Sequence, residues 1–254
     1  MTVTMFKKIG LKKIGFKKIG LKKIGIVAVS AIITTVIAVV MIAAPAMAHH
    51  PFGGQAPDNV FAGLLSGVGH PVLGFDHLAF VIAIGLLAAV LNRGITVLLA
   101  FLLAAVAGTG LHLAAVTLPA SEWVISASVL LFGLLLVTRQ RLSTPAVVAL
   151  VALAGMFHGY AYGEAIVGAE PTPLVAYLIG LTGVQGAIAG AAYWVSKRAL
   201  VGDLAQQPQP HGDGMTSNIT SDMTSNITSG IASIRQAGFA ICGAGAVLLG
   251  NLLV

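Results

Sequence analysis

Two short stretches hold most of the residues able to do chemistry. The first reads His70-Pro71-Val72-Leu73-Gly74-Phe75-Asp76-His77, and the second Phe157-His158-Gly159-Tyr160-Ala161-Tyr162-Gly163-Glu164. In each, a carboxylate follows a histidine with five residues between them. Imidazoles with carboxylates and no thiolate suit borderline divalent metals such as nickel, cobalt or zinc. Asp76 could ligate such an ion itself or fix a histidine tautomer from behind. The plain alternative for both stretches is an interhelical hydrogen-bond network that binds no metal.

Pro71 fits the first turn of a helix, where its missing N–H costs nothing, which predicts His70 as the cap. At 100° per residue His70 and His77 then share one helix face, with Asp76 to the side. A histidine and an acid six residues apart diverge by about 120° on a straight helix. They converge only if the helix breaks or if the two stretches face each other. Gly74, Gly159 and Gly163 permit such breaks. Gly155, Gly159 and Gly163 equally form a small-residue stripe suited to close helix packing.

These residues matter because of the elements that carry them. The 254-residue chain is 57% hydrophobic and 9% charged, against about 25% charged in a soluble domain. Its mean hydropathy is +0.96. Apolar stretches recur along almost the whole length, so the bilayer is the expected solvent and the fold class is all-α. Spans are predicted near Phe75–Leu91, Ile95–Leu118, Glu122–Val137, Pro145–Tyr162, Leu174–Ser196 and Ile231–Leu253. Before them, Asn59–Val68 reads as a helical piece too short to cross, lying at the interface or re-entering.

The formal charge of +6 is misleading, because eight of the fourteen Lys and Arg residues fall between Lys7 and Lys23. The remaining six basic and eight acidic residues leave the rest of the chain at −2, with no basic patch for nucleic acid. Residues 6–25 repeat a five-residue unit, FKKIG or LKKIG, four times. An apolar run over Ile26–Ala44 follows, then Ala46-Met47-Ala48, which is the order of a secretory signal. Cleavage after Ala48 leaves His49 and His50 at an outer N-terminus, either as a free amine beside two imidazoles that can bind metal or as a solvated polar start; the apolar run is also long enough for an uncleaved anchor. The single cysteine, Cys242, excludes an intramolecular disulfide and a cysteine-cluster metal site and reads as a helix-packing residue.

The predicted domains are therefore a signal peptide over 1–48, five spans with the motifs over 49–196, a flexible cytoplasmic loop over 197–230 and a last span over 231–254. That loop contains a duplicated MTSNIT and Gln-Pro repeats. With the N-terminus outside, Arg93, Arg139, Arg141, Lys197 and Arg198 all fall in inner segments, and Arg235 lies at the inner end of the last span. The outer segments contain Asp58, Glu122 and Glu170 and no Lys or Arg. Trp123 and Trp194 mark opposite interfaces. His70, Asp76, His77, His112, His158 and Glu164 all then lie in the outer half of the membrane. Ionisable side chains are costly in lipid, so residues gathered at one depth are functional candidates. Glu122, after Ser121 at a helix start, complements the helix dipole and is also a candidate ligand.

HPVLGFDH at His70–His77 and FHGYAYGE at Phe157–Glu164 resemble the paired motifs of the HupE/UreJ family. The similarity extends to Gly-Leu-His at Gly110–His112 and Leu-Pro-x-x-Glu at Leu118–Glu122. It covers roughly Asn59–Lys197, and the last helix loosely; the lysine-rich leader and the long Ser/Thr-rich loop depart from the pattern. The resemblance implies a nickel, in some cases cobalt, permease-like membrane protein associated with hydrogenase and urease systems. It implies metal handling by His70, Asp76, His77, His158 and Glu164, with maturation proteins of those enzymes as partners besides the bilayer. The expectation is a bacterial inner-membrane permease that is not an enzyme, has no prosthetic group and carries Ni2+, or alternatively Co2+ or Zn2+. Two other classes stay open, an intramembrane metal-dependent hydrolase and a non-conducting metal chaperone. The chain has no Gly-x4-Gly-Lys-Ser/Thr loop to draw on ATP. Metal binding should release protons from the histidines and weaken at acidic pH.

Overall fold

The computed structural model describes residues 56–138, 142–201 and 216–253, with the side chains of all but 201 and 216–229. Seven α-helices and no strand occur among them. They are α1 (Val60–Leu73), α2 (Phe75–Ala89), α3 (Gly94–Leu113), α4 (Ser121–Thr138), α5 (Thr144–Glu164), α6 (Pro171–Val201) and α7 (Thr216–Asn251). Helices α3 to α7 each contain a stretch long and apolar enough to cross a membrane. Helices α1 and α2 meet at a bend of 79° and make a sixth crossing if taken as one broken span. The leader, His49, Arg139 and Arg141 lie outside the described residues.

Helix α2 is the centre of the assembly. Most of its residues from Phe80 to Ala89 are buried on every side, as an axially buried helix requires. At 15 residues it is about 22 Å long, short of the ~30 Å hydrocarbon thickness. Helix α1 completes the crossing if the bent pair is one broken span. Gly63 in α1 packs on the backbone of Pro173, Gly67 on that of Tyr177, and Gly85 in α2 on that of Ala189. Thus α1 follows the first half of α6 and α2 the second half. Lys197 donates to the Leu91 carbonyl at 3.4 Å, placing a cation beside the carbonyl end of α2.

Besides the α2–α6 contact at Gly85, three helix pairs are close enough to need glycine. Helix α1 meets α6 through Gly63, Gly67 and Gly180, where a Cβ would run into the facing backbone. Helix α3 meets α5 in the same way through Gly108 and Gly159, and Gly155 faces Phe101. Helix α4 meets α7 through Gly133, Gly238 and Gly245, with Cys242 against Gly133. The stripe in α5 and the lone cysteine therefore serve packing, as small residues at membrane-helix contacts do. Thr109 adds a hydrogen bond across the α3–α5 contact, donating to Gly159 O at 2.8 Å with Ala105 O as a second acceptor at 3.1 Å. Phe80, Phe101 and Phe132 fill the middle of the core edge to face, with centroids 5.6 and 5.5 Å apart.

Three local expectations are corrected. Pro71 does not open a helix; it lies in the last turn of α1, and His70 is an interior helical residue. The missing proline N–H removes one helical bond just where α1 ends, and Gly74 then turns the chain in an extended conformation. The piece before the first span is accordingly longer than Asn59–Val68, with Asn59 as its cap accepting from Ala62 N–H at 2.9 Å. The expected linker over 197–230 is helical at both ends, since α6 runs to Val201 and α7 starts at Thr216. The MTSNIT repeat is a weak helix former, but extending an existing helix is far easier than nucleating one.

Candidate metal site

The bend at Gly74 brings the first motif together. His70 and His77 belong to different helices rather than to one face of one helix, yet their ring centroids lie 5.7 Å apart. A Cβ on Gly74 would come within 2.8 Å of His77 Cδ2 and 3.1 Å of Asp76 Oδ1, so the turn is closed over the site. Asp76 stands in the first turn of α2, where its Oδ1 accepts the His77 backbone N–H at 2.8 Å. His70, Asp76 and His77 are all buried.

The second motif contributes His158. On α5 it lies six residues, about 9 Å, before the helix end. Its Nδ1 is 2.8 Å from His77 Nδ1, and its Nε2 is 2.9 Å from Ser128 Oγ on α4. Ser128 Oγ in turn donates to Ile125 O at 2.7 Å. Phe80 stacks on the His158 ring at 3.8 Å with 9° between the planes, which fixes its orientation. The two motifs thus meet across helices, as their spacing requires.

Tyrosines complete the wall. The Tyr162 ring lies 4.3 Å from that of His77 and 5.2 Å from that of His70. Tyr177 donates to Tyr162 O at 2.7 Å and lies 3.3 Å from His70 Nδ1. Tyr162 Oη and Gln185 Nε2 are buried; the two side chains are neighbours, but neither atom has a partner in good hydrogen-bond geometry among the described residues. A buried polar atom left this way is costly unless another group supplies the missing partner.

Other expected site residues stand apart. Glu164 is exposed, because α5 is unbroken and six residues turn the carboxylate away from the His158 face. His112 is half-buried at the end of α3, its ring 4.4 Å from Tyr160 and its Cβ and Cγ against Gly163. Its Nδ1 has no hydrogen-bond partner among the described residues. Glu122 is exposed at the start of α4. By helix alternation His112, Glu122 and Glu164 share the motif end of the molecule, and Arg93, Lys197, Arg198 and Arg235 the other end. No three His, Cys, Asp or Glu side chains among the described residues form a preformed metal-binding group. The residues missed from the sequence are Ser128, Tyr162, Tyr177 and Gln185. Tyr162 lay inside a motif and was readable as a neighbour, whereas the rest sit in apolar runs with nothing to single them out.

A multi-span helical membrane protein with a buried histidine cluster at one end is the class these features define. The chain belongs to the HupE / UreJ protein family, whose model matches residues 37–217. It is 31% identical over 123 residues to Protein HupE of Rhizobium leguminosarum bv. viciae. That match takes in 48% of this chain and 62% of the relative's length. No solved structure matches the chain.

Proposed function

We propose that the protein is a membrane permease that takes up a divalent transition metal, nickel in the first place and cobalt next. One observation carries the reading: His70, His77 and His158, from three different helices, are buried together beside Asp76 near one end of a membrane-embedded assembly. Imidazole nitrogen with carboxylate oxygen is a donor set for nickel or cobalt. Family membership points to the same metals.

In this reading the motif end faces outward. The basic residues Arg93, Lys197, Arg198 and Arg235 cluster at the other end, which matches a cytoplasmic face. Glu122 and Glu164, exposed around the entrance, raise the local cation concentration. A cation then exchanges part of its water shell for His70, His77 and Asp76 while Tyr162 and Gln185 hold the waters it keeps. Passage requires binding strong enough for entry and weak enough for exit. Helices α1 and α2 form the interrupted crossing that supplies polar groups within the membrane, as broken helices do in transporters.

Uptake of radioactive nickel into proteoliposomes tests the proposal. Wild-type protein should accumulate nickel and His70→Ala should not. A protein that binds nickel without flux would be a chaperone, and one that degrades lipid without flux would be a hydrolase; either result overturns the permease reading.

A further inference from the structure

We propose that Ser128 and Tyr177 are positioning residues that hold His77 and His70 in the same tautomer, with His158 as the intermediate of the Ser128 branch rather than a metal ligand. The inference deepens the permease reading and rests on it for the identity of the cation.

The argument is a proton count. A serine hydroxyl has one proton, and a neutral imidazole has one N–H and one lone pair. Ser128 Oγ lies 2.7 Å from Ile125 O, which can only accept, so the hydroxyl proton sits between those two oxygens. Toward His158 Nε2, at 2.9 Å, Ser128 therefore has only a lone pair to offer, and His158 is the donor through Nε2–H. His158 Nδ1 then carries a lone pair. The 2.8 Å contact between the two Nδ1 atoms makes His77 the donor through its Nδ1–H. In the neutral ring the lone pair of His77 is then left on Nε2. Running the chain the other way would put two proton-free oxygens 2.7 Å apart, which is repulsive.

The same count applies to His70. Tyr177 spends its proton on Tyr162 O at 2.7 Å and presents a lone pair to His70 Nδ1 at 3.3 Å. His70 is thereby also protonated on Nδ1 with its lone pair on Nε2. Two histidines from either side of the Gly74 bend thus offer the same nitrogen, set by hydroxyls on α4 and α6. His158 has both nitrogens engaged within the protein and its ring clamped by Phe80, which is the position of an orienting residue. Because a ligating imidazole is normally fixed through its other nitrogen, this arrangement sets both tautomers before the cation arrives.

The test uses the full chain in lipid nanodiscs with 15N-labelled histidine. In metal-free wild type, the ring nitrogen shifts of His70 and His77 should show Nδ1 protonated and Nε2 bare, and those of His158 the reverse. A protonated Nε2 on His77 overturns the proposal. Ser128→Ala should shift the His77 tautomer population and weaken nickel binding about 10–100-fold, the usual range for a residue behind a ligand. Ser128→Thr, which restores the hydroxyl, should recover both readouts. Tyr177→Phe should disturb His70 and leave His77 unchanged. Unaltered shifts and affinity in Ser128→Ala refute its positioning role. Tautomers as assigned in a wild type that binds no nickel would overturn the role of the relay and the cation reading together, whereas wrong tautomers with nickel bound would remove the relay alone.

Discussion

His77 and His158 touch through like atoms, Nδ1 to Nδ1 at 2.8 Å, although 81 residues separate them in the chain. Two imidazoles that share a proton behave as one unit. Nickel affinity of His77→Ala, His158→Ala and the double variant should therefore be strongly non-additive. A coupling of about 0.5–3 kcal/mol is the range for residues in one hydrogen-bond network. Titration calorimetry on the four proteins measures it, and additive losses would mean that the two rings act separately.

Gly74 should tolerate no side chain. Its backbone angles, φ −76° and ψ 100°, are open to any residue, so the restriction is spatial. A methyl group would come within 2.8 Å of the His77 ring and must push it aside. Gly74→Ala is expected to weaken nickel binding about tenfold, in line with the cost of disturbing a ligand's support. Thermal unfolding should move far less than affinity. A variant with wild-type affinity would show that the ring's place is unimportant.

Glu164 offers a contrast with the buried histidines. Exposed at the end of α5, it would act on an approaching ion only through a solvated field, which salt screens over about 10 Å at 0.1 M. Glu164→Gln should slow nickel uptake at low ionic strength, and the difference should fade as salt is raised. His77→Ala should remain defective at every salt concentration. If Glu164→Gln instead abolishes binding regardless of salt, the carboxylate joins the occupied site as a ligand.

Thr109 separates stability from function. Its hydroxyl bridges α3 to Gly159 O on α5, and it touches none of the histidines through a hydrogen bond. Thr109→Val should cost about 0.6–2 kcal/mol, the scale found for hydrogen bonds between membrane helices. Unfolding in detergent reads the loss, and nickel affinity serves as the control. An unchanged stability would show that backbone contact alone holds the two helices.

Hydropathy made the spans legible, because the lipid requirement acts on every residue of a crossing helix. Residue type and spacing also made the two motifs legible, and they do meet. What the linear order hid was the direction of each motif. Pro71 is compatible with the start of a helix and with the last turn of one, and only the 79° turn after it decides between them. Glu164 carried the right chemistry, yet the unbroken α5 turns it outward. Ser128 is one small polar residue in an apolar helix, and its significance comes entirely from facing His158 on another helix. Leader, cleavage site and His49 fall outside the described residues.

The glycine contacts restrict how such a protein can move. Where backbone lies on backbone, as between α1 and α6, α3 and α5, or α4 and α7, sliding would drive carbonyls into one another. Each couple is therefore a stiff plank, and motion is left to the seams between planks. Tyr177 and His70 ride on one plank, to which Gly85 on the Ala189 backbone also fastens α2 and with it His77; His158 rides on the second and Ser128 on the third. Any rocking that opened a path between the planks would part His77 from His158, so letting an ion through and dismantling the histidine cluster would be a single event.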